Sequence, residues 1–177
     1  MLETFTTIDF ELATAKYNSV CAVGIVNVVS GEISNEFYSL VRPPENKYMW
    51  QTSRVHGIKP KHTANSPSFI QIYPIIKEMI QGQHMVAHDE LLDRSVLKET
   101  MEHYGLCYPE LMLPDSWDCT SKIYRSYGFE RTKLSICCEL MGVELKHHDA
   151  LSDARATAEL FLKKDAAMEM MRSGKVY

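Results

Sequence analysis

Apolar and polar residues alternate along this chain with two different periods. Leu2 to Leu12 is rich in β-branched and aromatic residues and reads as a first strand. Val20 to Val29 (VCAVGIVNVV) is a continuous apolar run, the pattern of a strand buried on both faces. Ser30-Gly31-Glu32 forms a turn, and Ile33 to Val41 alternates as a third strand. Links this short predict an antiparallel meander. Arg42-Pro43-Pro44 ends it, since proline cannot join a ladder. The stretch through Tyr48-Met49-Trp50 and Ser53 to Ile58 has no clear period and reads as a long irregular segment, a length often tied to function. Ser66 as N-cap and Pro67 at the first position predict a helix, with Phe69, Ile72, Ile75, Ile76 and Met79 at helical spacing, Pro74 as a kink and Gly82 at its close. His84 to His88 reads as a short strand beside the first. Asp93 to Tyr104 reads as a helix and Trp117 to Thr120 as a fifth strand. Leu134 to Met141 is a helix stopped by Gly142. Ala150 to Met171 reads as one long helix, with Ser173 to Tyr177 frayed. No repeat or linker interrupts the pattern, so the expectation is one α/β domain over residues 1–177.

Composition narrows the class. At 177 residues and 45% apolar content the chain can bury one substantial core. No stretch approaches the roughly 20 apolar residues of a membrane span, and no secretory signal opens the chain. The five cysteines are odd in number and lack a Cys-x-x-Cys spacing, so they read as buried thiols in a reducing compartment, and a cytoplasmic location is expected. The net charge of −4 argues against a protein held on nucleic acid by bulk charge. It leaves room for an enzyme that grips one strand end and neutralises its own acids with metal. Oligomeric state is not legible.

Asp9 and Glu11 share a face of the first strand, about 7 Å apart along the chain. Two like charges on a core strand repel each other and are costly to desolvate. A divalent cation between them removes both costs, and oxygen ligands select a hard ion, Mg²⁺ or Mn²⁺. An exposed edge strand with two solvated acids would carry the same residues, so the rest of the chain decides. His88 to Asp93 lies where a strand gives way to a helix, and His147 to Asp153 opens the last helix. With that helix starting near Asp149, Asp153 sits one turn in and His148 on the loop before it, so the two can converge. A two-metal site needs several carboxylates and a base. Asp9, Glu11 and Asp153 are candidate ligands, Asp93 completes the acidic ring, and His148 has the intrinsic pKa of a base near neutrality. Competing readings are helix capping for Asp93 and Asp149, a solvated loop for His147 and a satisfied core histidine for His88.

Three of these stretches resemble, in order, the motifs of the DEDDh branch of the DnaQ-like 3′–5′ exonucleases, the family of the proofreading epsilon subunit of bacterial DNA polymerase III. They are Phe5-Thr6-Thr7-Ile8-Asp9-Phe10-Glu11, Val86 to Asp93, and His148 to Ala158 with its His-x-Ala-x-x-Asp. His56-Gly57-Ile58 and the helix opening at Ser66-Pro67-Ser68-Phe69 resemble the family too. The resemblance implies a ribonuclease H-like fold, a five-stranded mixed sheet of order 3-2-1-4-5 flanked by helices. It implies that Asp9, Glu11, Asp93 and Asp153 hold two divalent cations, Mg²⁺ or Mn²⁺, and that His148 is the general base. Phe10 and Leu12 are implied neighbours of the last nucleotide, with His56 and His88 as weaker contacts. The implied reaction is hydrolysis of the terminal phosphodiester at a DNA 3′ end, on single strands or frayed ends, releasing nucleoside 5′-monophosphates in proofreading or repair. RNA-trimming relatives share the same acids, and a DNA polymerase is a candidate partner, although the short tail favours a free-standing enzyme.

The second motif departs from the family. Asp89 stands where asparagine is usual, and Leu92 where phenylalanine is usual. Asp89 adds negative charge where a phosphate backbone should pass, and Leu92 removes an aromatic surface; neither removes a ligand. Two other classes stay open: a non-catalytic module that holds a strand or a polymerase, and a metal phosphoesterase acting on small nucleotides.

Overall fold

The computed structural model describes residues 3–174. Strands β1 (Phe5–Leu12), β2 (Val20–Val29) and β3 (Glu32–Leu40) form the expected antiparallel meander. Leu2 lies outside the described residues. On the other edge of β1 lies β4 (Met85–Ala87), parallel, with Thr6 opposite Met85 and Thr7 opposite Val86. Strand β5 (Asp118–Cys119) continues parallel to β4. The sheet order is β3-β2-β1-β4-β5, the predicted one.

The helices depart from the sequence reading in five places. The irregular segment holds two short helices, α1 (Trp50–His56) and α2 (Pro60–Thr63). Gly57, at φ 74°, ends the first, a conformation that suits a residue without a Cβ. Helix α3 (Phe69–Ile80) is capped by Ser68, not Ser66, because the Gln71 carboxamide oxygen reaches back to accept the Ser68 N–H at 2.8 Å. Pro74 sits within α3 on its exposed side. Helix α4 (Glu90–His103) starts three residues earlier than expected, capped by Asp89. The fifth strand is two residues long and runs directly into α5 (Thr120–Ser126). Helix α6 (Leu134–Met141) ends at Gly142 as predicted. The single long helix is two, α7 (Ala150–Leu162) and α8 (Lys164–Arg172). The break falls at Lys163, whose ammonium donates to the Met141 carbonyl at 3.0 Å. Residues 175–177 of the expected frayed tail lie outside the described residues.

Alternation along β1 divides the core. Ile8, with Phe10 and Leu12 packed beside it, faces the cluster that α3 and α4 build with Phe69, Ile76 and Leu97. Phe5 faces the other way, against Ala154, Ala158 and Phe161 of α7, with the Phe5 and Phe161 rings edge to face at 4.8 Å. Alanines on α7 let that helix lie close on the sheet. A third cluster around Tyr124 and Leu160 joins α5, α6, α7 and α8. Four of the five cysteines are buried, and all five are free thiols. No helix among the described residues is long and apolar enough to cross a membrane.

Candidate active site

Strand β4 stops at Ala87, while β1 runs on through Asp9 to Leu12. The result is a crevice at the carboxyl ends of two parallel strands, the usual location for a site in an open α/β sheet. Asp9 and Glu11 share the β1 face that carries Phe5 and Thr7, and that face meets α7. The Thr7 hydroxyl donates to the Ala154 carbonyl at 2.8 Å, fixing α7 against the strand that bears the acids.

Gly24 on β2, opposite Asp9 in the ladder, makes this contact possible. A Cβ there would lie 2.2 Å from the Ala150 carbonyl oxygen, inside the first turn of α7. Sequence reasoning passes over Gly24, although a glycine inside a continuous apolar strand signals close backbone approach. Gly24→Ala must push away the turn that carries His148 and Asp153. Overpacking of this kind destabilises by about 1–3 kcal/mol. The expected result is a Tm lower by several degrees and weakened Mn²⁺ binding, read by thermal melting with and without the ion.

Asp9, Glu11 and Asp153 offer carboxylate oxygens that all lie within 4.8 Å of one another. Glu11 and Asp153 are 9% and 6% exposed, and Asp93, in the first turn of α4, is 5% exposed. Burial pushes the Glu11 carboxyl up to about 7, with Asp153 and then Asp149 adding to the shift. Burial pushes Asp153 to about 7 as well, opposed by a hydrogen bond from the His148 backbone. Asp9 is raised well above the usual carboxylate range by burial, then by the charge of Asp93 and, less, of Asp153 and Glu11. Asp93 is raised by burial and by Asp89, against a hydrogen bond from the Phe10 backbone.

Among the described residues, no lysine or arginine forms an ion pair with any of these four acids. One oxygen of Asp153 is buried with no hydrogen-bond partner. Four crowded, desolvated carboxylates with an orphaned oxygen and no protein cation fit a hard divalent ion, and the all-oxygen donor set matches Mg²⁺ or Mn²⁺.

His148 stands immediately before Asp149, the N-cap of α7, whose carboxylate accepts the Ser152 N–H at 3.2 Å. Its backbone is left-handed at φ 61°, a rare conformation for a residue with a side chain. Its ring stacks on that of His147, with centroids 4.1 Å apart. Burial, then the His147 charge, lowers the His148 pKa, so the imidazole is neutral at pH 7 and free to accept a proton.

Two other histidines have both ring nitrogens engaged within the protein. His56 accepts the Ile58 N–H at its Nδ1 (3.0 Å), so its Nε2 donates to the Leu12 carbonyl (3.1 Å) and pins α1 to the end of β1. His88 donates from Nε2 to the Thr132 carbonyl and accepts at Nδ1 from the Thr120 hydroxyl, both at 2.8 Å. That is the satisfied core histidine weighed from the sequence. Phe10 and Leu12 are half-buried on the opposite face of β1 from the acids. Asp89 spends its carboxylate on capping α4, accepting the Leu92 N–H at 3.5 Å, and Leu92 is exposed.

Comparison with known proteins agrees with this geometry. A family model described as an exonuclease, of RNase T type, matches residues 6–161. The PolC-type DNA polymerase III of Caldanaerobacter subterraneus is 27% identical over 149 residues, 82% of this chain and 10% of that protein. RNA exonuclease 4 of Saccharomyces cerevisiae is 27% identical over 158 residues, 87% of this chain and 50% of that protein. The chain thus spans a tenth of the polymerase's length and half of the RNA exonuclease's. Among solved structures, the nuclease domain of 3′hExo, a DEDDh family member bound to rAMP, superposes with a TM-score of 0.75 at 20% identity, covering 98% of this chain and 94% of that one. Exonuclease X in complex with 5′-overhanging duplex DNA superposes with a TM-score of 0.69 at 24% identity, covering 96% and 92%. With the family model spanning residues 6–161, most of the chain, the chain belongs to the exonuclease family that this model describes.

Proposed function

We propose that this protein is a metal-dependent 3′–5′ exonuclease that hydrolyses the terminal phosphodiester of single-stranded DNA or frayed 3′ ends to nucleoside 5′-monophosphates. The observation that carries this reading is a set of four crowded carboxylates, three of them buried and Asp9 partly so, which no lysine or arginine ion pair neutralises among the described residues, beside a half-exposed histidine whose pKa is lowered. Asp9, Glu11 and Asp153 would hold one cation, and Asp9 with Asp93 the second. When bound, such cations supply Lewis acidity, lowering the pKa of a water and offsetting charge on the leaving 3′ oxygen. His148 takes the proton of the attacking water, and the His148 backbone keeps Asp153 in place. Phe10 and Leu12, packed on the other face of β1, would meet the last nucleotide only at the open end of that strand. His56 and His88, with their nitrogens engaged, serve as positioning groups for α1 and for the start of α4.

Asp89 does not argue for an inactive module. Aspartate and asparagine cap helices equally well, so α4 keeps the start that places Asp93. The reading treats residues 1–177 as one exonuclease domain acting in the cytoplasm, free-standing or beside a polymerase. The similarity to PolC-type polymerase supports DNA as substrate; that to RNA exonuclease 4 supports RNA as the second reading.

Digestion of 3′- and 5′-labelled single strands with Mg²⁺, Mn²⁺ or EDTA tests the proposal, with matched DNA and RNA side by side. Mononucleotide released only from the 3′ end, and only with metal, is the expected result. No cleavage of either polymer under any metal defeats it. His148→Gln should lower kcat by about 10²–10⁴-fold, the range for loss of a positioned base, with KM little changed and the loss shrinking as pH rises. An unchanged pH–rate profile would assign proton removal elsewhere.

A further inference from the structure

Charge is unevenly distributed along this chain. It carries 19 basic and 23 acidic residues, yet between Arg42 and Ser68 there are five cations, Arg42, Lys47, Arg54, Lys59 and Lys61, against one acid, Glu45. All five cations are exposed. Among the described residues none of them is in an ion pair, whereas Lys77, Arg94, Lys122, Lys146, Arg155 and Lys164 all are. The same segment carries Trp50, the most exposed of its large apolar residues at 66%, with the Arg54 guanidinium 4.8 Å from the ring centroid.

The segment is tied to the strand that bears the acids. The Met49 N–H and the Thr52 hydroxyl both donate to the Ala13 carbonyl, at 2.8 and 2.6 Å, and His56 donates to the Leu12 carbonyl. Trp50 and His56 stand at opposite ends of α1, about 9 Å apart along its axis by the helical rise. An aromatic face and five cations without ion pairs thus belong to the segment that is bonded to the end of β1, one and two residues beyond Glu11. Large exposed aromatics gain little from water, and an arginine against one face of an indole leaves the other to a planar partner. An aromatic platform flanked by unpaired cations is the chemistry that grips single-stranded nucleic acid: bases stack whatever their identity, and phosphates meet cations.

We propose that α1 and its flanks are the surface along which a single strand reaches the acids, with a base stacked on Trp50 and phosphates held by Arg54, Lys47, Lys59 and Lys61. This rests on the exonuclease reading above and adds to it a processive grip upstream of the scissile bond. It also resolves the tension between a net negative chain and a polyanionic substrate, since the attraction is local.

The test compares two substrates on the full chain with Mn²⁺: a ten-nucleotide single strand, and the p-nitrophenyl ester of thymidine 5′-monophosphate, which carries one nucleotide and lacks the upstream base proposed to stack on Trp50. For Trp50→Ala, kcat/KM on the strand should fall about tenfold, the effect of one missing base stack, with the ester hydrolysed at the wild-type rate. Trp50→Phe should recover most of the loss. Lys59→Glu with Lys61→Glu should flatten the salt dependence of strand binding, by about 0.7 in log–log slope for each phosphate that is no longer neutralised. In EDTA, the strand should quench the emission of exposed Trp50, and Trp50→Ala should abolish the quench, since Trp117 is 4% exposed. Unchanged strand turnover in Trp50→Ala overturns the proposal and leaves this face to another partner. Equal loss on both substrates also overturns it, because Trp50 would then support the acids themselves. Wild-type protein inactive on strand and ester alike would instead defeat the exonuclease reading.

Discussion

Asp153→Asn is expected to lower the rate of 3′ nucleotide release by on the order of a thousandfold, the several kcal/mol that a missing metal ligand removes from transition-state stabilisation. The same change should raise the Tm of the metal-free protein at pH 8. The two effects have one cause. Asp153 is only 6% exposed, with one oxygen lacking a hydrogen-bond partner and a carboxyl pushed up to about 7. Ionised, it stands against Glu11 and Asp9 in a crevice from which water is largely excluded. Asparagine keeps the shape, removes the charge and offers an amide that Glu11 can accept from. A group that served only to hold α7 would behave in the opposite way: its loss would lower Tm, and activity would fall in proportion to folded protein. Turnover and metal-free melting measured on one preparation separate the cases. Retained turnover, or a lower Tm with intact Mn²⁺ binding, would remove Asp153 from the proposed ligand set.

The sheet was legible because its signals are local. Continuous apolar residues over β2, β-branched and aromatic enrichment in β1, alternation in β3 and a glycine stop after α6 each point to one answer, and the ends fall within a residue of expectation except at the start of β1, which begins at Phe5. The departures have a common source in tertiary contact. Helix α1 has no buried residue and α2 only Thr63, so no apolar stripe announces them. Helix α1 is held by side-chain bonds to Ala13 and Leu12, and α2 by the Thr63 hydroxyl donating to the Asn46 carboxamide oxygen, contacts that sequence cannot display. Nothing at Lys163 breaks a helix by propensity; the turn there follows from its bond to the Met141 carbonyl and from Ala167 packing into the cluster around Tyr124. At the start of α4, two acids of different roles lie four residues apart, Asp89 as cap and Asp93 as buried acid, and the sequence period alone favours the later start.

The acids themselves were legible for a different reason. A pair of carboxylates on one face of a core strand is costly enough to demand an explanation, and His148 and Asp153 lie at a helix start where two groups can converge. What composition could not show is the packing that brings them together. Gly24 is the clearest example: its lack of a side chain admits the first turn of α7, and through that turn His148 and Asp153, to the strand of Asp9. Likewise His56 and His88 carry the residue type of a contact group, and only their bonded nitrogens reveal a positioning role.

Without metal, the protein should lose stability as pH rises through neutrality, and Mn²⁺ should protect it more at pH 8 than at pH 5.5. The usual glutamate and aspartate values in the unfolded chain are 4.5 and 3.8, against about 7 for both Glu11 and Asp153 when folded. Asp9 and Asp93 are raised in the same direction. Between the unfolded and folded values the native state binds more protons, so stability falls with pH across that window and levels off once the folded acids have ionised. His56, His88 and His148 are lowered by burial and work oppositely: the unfolded chain binds more protons below their ordinary 6.5, so they take stability away on the acid side. The acids therefore set a decline that begins above their ordinary values and runs through neutrality, and the histidines offset part of it below pH 6.5. Asp153→Asn provides the control, because it leaves the histidines in place and should flatten only the alkaline limb. A cation at a hundredfold excess over its Kd adds about 2.7 kcal/mol, roughly 5–10 °C for a chain of this size. At pH 5.5 protons compete for the same oxygens and the gain should shrink to a few degrees. Melting across pH 5–8.5 with EDTA or Mn²⁺ reads all of this directly. A Mn²⁺ gain indifferent to pH, or an alkaline limb unchanged by Asp153→Asn, would mean that these carboxylates do not carry the repulsion that the metal is proposed to relieve.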